Sequence, residues 1–273
     1  MPTNEEVWYA VFGVGHPDLQ KQHRLHLRLP SPPRCKLCLA PFGGVGGFFM
    51  GLRGKRPSNR NPRFCSACDH FIRAHPGGAE VTLSLVFADV RGSTSLAERI
   101  SPTELSRRFN EFYAAITHVL VETDGFIIDV VGDEVVGVYP PGFSGPRHAA
   151  LAIEAARQLV VLDPSAFGGL PFGVGVHTGV VHIGTTMGAD EGIADVRAIG
   201  DNVNISARLS SSAGPGEALV SAAAWDAAGE SPDELEHREL TLKGRNEPLG
   251  VWVLRSSAAD AASAAAAAAP EAP

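Results

Sequence analysis

Apolar positions divide residues 79–256 into segments of strand and helix length. Strand-like apolar runs occur at 81–88, 126–131, 135–139, 172–177, 180–183, 195–199, 218–221, 239–242 and 251–254. Ser101, followed by Pro102 and by Glu104 three residues later, predicts the N-cap of a helix whose apolar side chains at 105, 109, 112, 116 and 120 recur at helical spacing. Residues 148–162 and 203–212 show the same period. Strands interleaved with amphipathic helices predict an α+β domain in which the helices cover a largely antiparallel sheet.

Short polar or glycine-containing links predict two hairpins in this region. Gly132, Asp133 and Glu134 join 126–131 to 135–139, and Thr178-Gly179 joins 172–177 to 180–183. Both links have the length and composition of tight turns. We therefore expect two pairs of antiparallel neighbours in the sheet.

The other residues form three segments of different composition. Residues 1–33 contain one or two helical stretches, residues 34–78 contain all four cysteines around a glycine-rich basic loop, and residues 257–273 are a low-complexity Ala/Pro tail that we expect to be disordered. Residues 1–78 carry 11 Lys and Arg against 4 Asp and Glu, net +7, whereas the remainder carries 12 against 26, net −14. This difference predicts two modules with different partners.

Several classes of protein are excluded by the composition. No apolar run reaches the roughly 18 residues of a membrane span. The N-terminal residues MPTNEEVWYA lack the basic start of a secretory signal. We therefore expect a cytoplasmic protein. Four cysteines are too few for a disulfide scaffold in a chain of 273 residues.

The cysteines form two pairs with metal-ligand spacing. Cys35 and Cys38 are separated by two residues, as are Cys65 and Cys68. This pattern predicts a tetrahedral four-thiolate site of zinc-ribbon or treble-clef type, with structural Zn²⁺ favoured over an iron–sulfur cluster. The basic run 53–63 between the pairs would dock on the acidic remainder of the chain or remain solvated. A nucleic acid or an anionic membrane surface is the less favoured contact.

Two aspartates are candidates for a magnesium or manganese site. Asp89 ends an apolar strand, and Asp133 lies in a two-strand turn. If these strands are neighbours, both carboxylates lie on one sheet edge, where they offer the hard oxygen ligands that Mg²⁺ and Mn²⁺ prefer. The alternative is that both are turn aspartates that bind backbone N–H groups.

Two further segments suit a phosphorylated ligand. A strand end, a glycine and a helix start are typical of a phosphate-binding turn, and this turn comprises Val90, Arg91, Gly92, Ser93 and Thr94. Asn204 and Arg208 are four residues apart and share one helix face. An amide and a guanidinium there suit a ribose and an α-phosphate, although the spacing taken alone favours a solvated polar stripe.

Four motifs occur in a family-specific order: VFADVRGSTSLAERI, DGFIIDVVGDEVVGVY, VGVHTGVVHIG and IGDNVNISARL. Together they resemble the catalytic domain of class III nucleotidyl cyclases over about residues 80–255. The resemblance implies a ferredoxin-like fold and two domains paired head to tail, with active sites at their interface. It also implies that the 3′-hydroxyl of a nucleoside triphosphate attacks its own α-phosphate, giving a 3′,5′-cyclic nucleotide and pyrophosphate.

The resemblance also implies roles for individual residues. Asp89 and Asp133 match the aspartates that bind two Mg²⁺ or Mn²⁺ ions. Arg208 matches the arginine at the α-phosphate, Asn204 the asparagine that orients the ribose, and Lys243 a lysine at the terminal phosphates. The aspartates would come from one protomer and the other three residues from its partner, so that a homodimer carries two sites. A heterodimeric partner remains an alternative.

The positions that read the base depart from the family pattern. Adenylate-specific members have a lysine four residues before the second metal aspartate and an aspartate or similar residue seven before the asparagine. Here these positions are Asp129 and Arg197, so the charges are reversed. In guanylate-specific members the first position is a glutamate.

Three interpretations of this reversal remain open. The pair would read a purine, with ATP favoured and GTP next. Alternatively Asp129 and Arg197 pair with each other and the base is read loosely, with Asp195 as a further acceptor. In the third interpretation turnover is lost, and the domain is a nucleotide sensor or dimerisation scaffold for a zinc-module adaptor. The intact metal, ribose and phosphate positions favour an active cyclase, with the N-terminal module regulating it or binding a partner protein.

Overall fold

The structure is a computed structural model that describes residues 2–15, 17–29, 33–187, 194–242 and 247–256. Lys243 and the tail 257–273, both named in the sequence predictions, lie outside the described residues.

The strands belong to one mixed sheet with the order β2-β3-β1-β4-β6-β8-β7, and β5 pairs with β4 beside this path. The pairing of β4 with β6 is parallel, and the other pairings are antiparallel. The strands are β1 (Gly78–Val90), β2 (Phe126–Val131), β3 (Glu134–Tyr139), β4 (Phe172–Met187), β5 (Ala194–Ile199), β6 (Glu217–Ser221), β7 (Glu236–Leu240) and β8 (Leu249–Arg255).

Helices lie on both sides of this sheet. They are α1 (Asn4–Tyr9), α2 (Pro17–Arg28), α3 (Gly44–Leu52), α4 (Ser66–Ala74), α5 (Ser93–Ala97), α6 (Pro102–Glu122), α7 (Pro141–Ser144), α8 (His148–Val160), α9 (Asp201–Ser212) and α10 (Ala222–Ala228). A short π-helix (Ala10–Val14) follows α1, and a 3₁₀ turn (Pro164–Ala166) follows α8.

The segment from β1 to β4 has the element order β1-α6-β2-β3-α8-β4, apart from short helices, and a sheet order of β2-β3-β1-β4. This is the arrangement of a ferredoxin-like sheet, and it confirms the predicted α+β class. Helices α6, α8 and α10 bury one face of the sheet in a core that includes Phe112, Ile153 and Trp225. Helix α6 begins as predicted, because the Ser101 hydroxyl accepts a hydrogen bond from the Glu104 amide at 3.2 Å.

The N-terminal residues bury the opposite face of the sheet. Trp8, Phe12 and Phe64 are almost fully buried in a second core that also contains Leu83 and Leu85 of β1. The indole of Trp8 stacks on Phe12 with ring centroids 5.2 Å apart. The N-terminal segment and the sheet therefore share one apolar core.

The prediction of a hairpin at Thr178-Gly179 is wrong, because β4 runs unbroken through both residues. Gly179 lies opposite Leu83 in the ladder with β1. A Cβ on Gly179 would lie 2.4 Å from Cγ of Asn202. The glycine therefore allows α9 to approach the strand, and it does not turn the chain.

The four-cysteine segment is more helical than its composition suggests. The expected basic loop contains α3, and α4 begins immediately after Cys65. Between residues 33 and 77 the β-structure of this segment consists of two isolated bridges, Arg34–Pro41 and Pro57–Cys65. A zinc-ribbon strand pair is not seen in that described range.

Candidate active site and cysteine cluster

An acidic edge of the sheet brings the two candidate metal ligands together. Asp89 lies near the end of β1, opposite Glu134 in the ladder with β3. Asp133 lies in the turn before β3, and its carbonyl accepts a hydrogen bond from the Val90 amide at 3.0 Å. The Ser93 hydroxyl donates to the Asp133 carboxylate. The strands are neighbours, as a shared site requires.

The electrostatics of this edge fit a divalent cation. Burial raises the pKa of Asp89, and Asp133 raises it further, whereas Arg91 lowers it. Burial also raises the pKa of Glu134 to about 7, with added repulsion from the two aspartates. Three neighbouring carboxylates are a set of hard oxygen donors whose mutual repulsion a bound Mg²⁺ or Mn²⁺ would relieve.

The candidate phosphate turn contacts the C-terminal part of α9. The Arg91 guanidinium forms an ion pair with Asp89 and donates to the Ser211 carbonyl at 2.6 Å. Gly92 has φ +69° and accepts a hydrogen bond from the Leu96 amide at 3.0 Å. Val90 ends β1, whereas Ser93 and Thr94 begin α5.

Helix α9 carries Asn204 on its surface and Arg208 in a half-buried position. The helix is anchored by Asn202, whose side chain donates to the Val180 carbonyl at 2.7 Å and accepts from Nε2 of His177 at 2.9 Å. The ring of His177 is held in turn by the Ser221 hydroxyl, 2.8 Å from Nδ1. Sequence reasoning missed Asn202, whose only local signal is its place at the start of the helix.

The two base-reading positions form an ion pair with each other. Arg197 of β5 places Nη1 3.0 Å from Oδ2 of Asp129 on β2. The Asp129 side chain is 15% exposed, and that of Arg197 is 50% exposed. The pairing expected in the second interpretation is therefore present in this structure.

The further acceptor proposed in that interpretation, Asp195, is already engaged. Its Oδ1 lies 2.5 Å from Nζ of Lys36, and its Oδ2 lies 3.1 Å from Nη1 of Arg63. The Asn61 side chain donates to the Ala194 carbonyl at 3.0 Å. Part of the basic run thus docks on β5.

The four thiols cluster at distances suited to one metal ion. The Sγ atoms of Cys35, Cys38, Cys65 and Cys68 all lie within 4.8 Å of one another, and none forms a disulfide. The Cys38 and Cys65 sulfurs are 3.7 Å apart. Tetrahedral Zn–S bonds of about 2.3 Å imply sulfur separations of about 3.8 Å. The residues present therefore fit a single four-coordinate ion.

No helix in the described parts of the chain is long and apolar enough to span a membrane.

Comparison with known proteins places this geometry in a family. The family model of the adenylate and guanylate cyclase catalytic domain matches residues 79–255. The chain is 32% identical over 134 residues to the adenylate cyclase of Anabaena cylindrica, covering 46% of this chain and 26% of that protein. An uncharacterised protein of Mycobacterium tuberculosis is 31% identical over 179 residues, covering 66% of this chain and 43% of the relative. The chain thus spans less than half the length of these relatives.

Solved cyclase structures share the fold. The adenylyl cyclase CyaB of P. aeruginosa superposes with a TM-score of 0.55 and 26% identity, covering 65% of this chain and 95% of that structure. The guanylyl cyclase Cya2 also gives a TM-score of 0.55, with 23% identity and coverage of 65% and 93%. With the family model matching well over half of its length, the chain belongs to the family of adenylate and guanylate cyclase catalytic domains.

Proposed function

We propose that the protein is a nucleotidyl cyclase that converts a nucleoside triphosphate to a 3′,5′-cyclic nucleotide and pyrophosphate. The observation that carries the proposal is the acidic edge, where Asp89 and Asp133 come together within a domain of this family. Asp89 and Asp133 would hold two Mg²⁺ or Mn²⁺ ions. When bound, such ions lower the pKa of the attacking hydroxyl and neutralise charge on the leaving pyrophosphate.

The remaining roles fall to the protein's own side chains. Arg208 would stabilise the charge that develops on the α-phosphate, and Asn204 would orient the ribose. Arg91 pairs with Asp89 in this structure. If Asp89 held a metal ion, the Arg91 guanidinium would be available to donate to a phosphate oxygen. Lys243 would contact the terminal phosphates.

The active unit is proposed to be a homodimer, with Asp89 and Asp133 of one protomer facing Asn204, Arg208 and Lys243 of the other. ATP is proposed as the favoured substrate and GTP as the next. Both purines fit the site, because the carboxylate of Asp129 can accept hydrogen bonds from adenine N6 or from guanine N1 and N2.

The cysteine cluster is proposed to hold one structural Zn²⁺. The tight thiol cage suits a single ion, whereas a multi-iron cluster places several metal atoms between the thiolates and needs a wider one. The N-terminal segment would then regulate the cyclase domain or bind a partner protein.

A second candidate function rests on the internal ion pairs. Asp89 pairs with Arg91, and Asp129 with Arg197, so that charges assigned to metal and base are partly neutralised within the chain. This arrangement favours a domain without turnover that senses a nucleotide or serves as a dimerisation scaffold.

The two functions are separated by a product assay. Purified protein is incubated with Mn²⁺ and each of the four ribonucleoside triphosphates, and products are identified by mass spectrometry. We expect one preferred cyclic product from the wild-type protein and none from Asp89→Ala or Arg208→Ala. The matched control is Glu98→Ala, an exposed carboxylate after α5, which should retain activity.

Mixing the two inactive variants tests the shared site. Each heterodimer of Asp89→Ala with Arg208→Ala retains one complete site, so random reassociation should restore about a quarter of wild-type activity. Wild-type activity in both single variants would contradict the mechanism. Nucleotide binding without product from any of the four triphosphates would instead support the sensor.

A further inference from the structure

The N-terminal cysteine segment contacts the strand that carries one of the base-reading residues. Lys36, between Cys35 and Cys38, places Nζ 2.5 Å from Oδ1 of Asp195 and 3.3 Å from the Val196 carbonyl. Its side chain is 8% exposed, so this ammonium has little access to water and depends on these partners. The contact joins residues that are 159 positions apart in the chain.

The same segment lies between the two strands that carry the base-reading pair. Lys36 and Leu37 line a small cavity together with Phe126 and Ile128 of β2 and Val196 of β5. Strand β2 bears Asp129, and β5 bears Arg197. The cysteine segment therefore lies against both strands that carry the candidate base-site residues.

The charges around this contact alternate in sign. Asp129 pairs with Arg197, and Asp195 pairs with Lys36 and Arg63. Lys36 also interacts electrostatically with Asp129. Arg63 is half-exposed, so Lys36 is the buried cation that neutralises Asp195. Without Lys36, the Asp195 carboxylate, two residues before Arg197 on the same strand, would attract the Arg197 guanidinium.

We propose that Lys36 is a positioning residue for base selection: by neutralising Asp195 it keeps Arg197 on Asp129, where both face the base. This inference rests on the proposed function. It makes the cysteine segment part of the specificity determinant, although none of its residues belongs to the cyclase motifs. In the Lys36→Met variant, Arg197 shifts to Asp195. Guanine O6 and a ring nitrogen of adenine then both lose the Arg197 donor, whereas Asp129 still accepts from guanine N1 and N2 or from adenine N6, so the selection between the two purines changes.

The test measures kcat and KM for ATP and for GTP in the full chain with Mn²⁺. In Lys36→Met we expect the GTP:ATP ratio of kcat/KM to change at least fivefold, mainly through KM, and Lys36→Arg should restore most of the wild-type ratio. The matched control is Arg60→Met, an exposed residue of the same basic run whose guanidinium forms no ion pair seen among the described residues. Its ratio should equal that of the wild type.

The outcomes are separable from those of the proposed function. A folded Lys36→Met with an unchanged GTP:ATP ratio overturns the inference, even where its melting temperature has fallen. If Lys36→Met does not fold, Arg63→Met decides: the half-exposed Arg63 neutralises the same carboxylate, and its loss should shift the ratio in the same direction by a smaller factor. If the wild-type protein yields no cyclic product, the proposed function fails, and the same ratio is read from the Kd values of Mn–GTP and Mn–ATP by calorimetry.

Discussion

A histidine buried under the sheet should make the stability of the protein depend on pH. His23 of α2 is 2% exposed, and its ring stacks on Phe126 of β2 with centroids 4.9 Å apart. Within the described residues its Nε2 has no hydrogen-bond partner. Burial, together with the positive charges of the neighbouring His26 and Arg24, lowers the pKa of His23 from 6.5 to about 4. The folded protein therefore holds His23 neutral at a pH where the unfolded chain would protonate it.

The sign and size of the effect follow from this difference in proton uptake. Well above pH 6.5 His23 is neutral in both the folded and the unfolded protein, so it does not change the free energy of unfolding. As the pH falls from 6.5 towards 4, only the unfolded chain gains the proton, and the free energy of unfolding decreases; below pH 4 the decrease levels off. The pKa values of His23 in the unfolded and folded states differ by about 2.5, so the free energy of unfolding falls by about 2 kcal/mol at pH 5 and by about 3 kcal/mol at the plateau.

The assay is urea unfolding at pH 7.5 and pH 5 for the wild type and His23→Phe. Phenylalanine preserves the stacking on Phe126 and removes the titrating nitrogen. Between pH 7.5 and pH 5 the free energy of unfolding of the variant should therefore fall by about 2 kcal/mol less than that of the wild type. Burial also lowers the pKa of His26, but this residue is present in both proteins and largely cancels in the difference. His70→Gln, at an exposed position of α4, is the control and should behave as the wild type. Equal pH dependence in His23→Phe and wild type would refute the reasoning.

Two further predictions concern packing and the cysteine cluster. Gly179→Ala should destabilise the protein by about 1–3 kcal/mol in thermal or urea unfolding, because the added Cβ would overlap Asn202. At Gly51 the added Cβ would lie 3.5 Å from its nearest neighbour, Arg56, so Gly51→Ala should stabilise α3 by up to about 1 kcal/mol. Equal effects at the two glycines would contradict the close approach of α9. Metal analysis of purified protein should find about one Zn per chain. Less than a tenth of that amount in folded protein would rule out the zinc site.

Local sequence patterns were sufficient to predict elements whose structure depends mainly on neighbouring residues. The helical spacing of apolar residues and the Ser101 cap predicted α6, and the apolar strands around Asp133 predicted the β2–β3 hairpin. A strand end and a hairpin turn brought Asp89 and Asp133 to one edge because β1 and β3 are neighbours. Helix α3 was missed because its four glycines lower the intrinsic helix propensity of GVGGFFMGL, and tertiary packing overrides that preference.

Contacts between distant residues could not be inferred in this way. Glycine serves both turns and close approaches, and only the position of Asn202 shows which use applies at Gly179. The ion pair between Lys36 and Asp195 joins the turn between Cys35 and Cys38 to β5, far along the chain, and nothing in either local sequence predicts it. For the same reason the composition suggested separate modules, whereas Trp8 and Phe64 share a core with β1.

The internal ion pairs bear on whether the candidate site can turn over. Arg197 is half-exposed, and an ion pair of this kind is worth about 0–1 kcal/mol, so a base that hydrogen-bonds both partners can replace it at little cost. The pair of Arg91 with Asp89 is more buried, but Asp89 also faces the repulsion of Asp133, which a divalent cation reverses. A divalent cation at this edge would relieve that repulsion and so offset the loss of the ion pair. The internal ion pairs, which are the observation that favours the sensor, are therefore also compatible with a cyclase in which metal and substrate replace them.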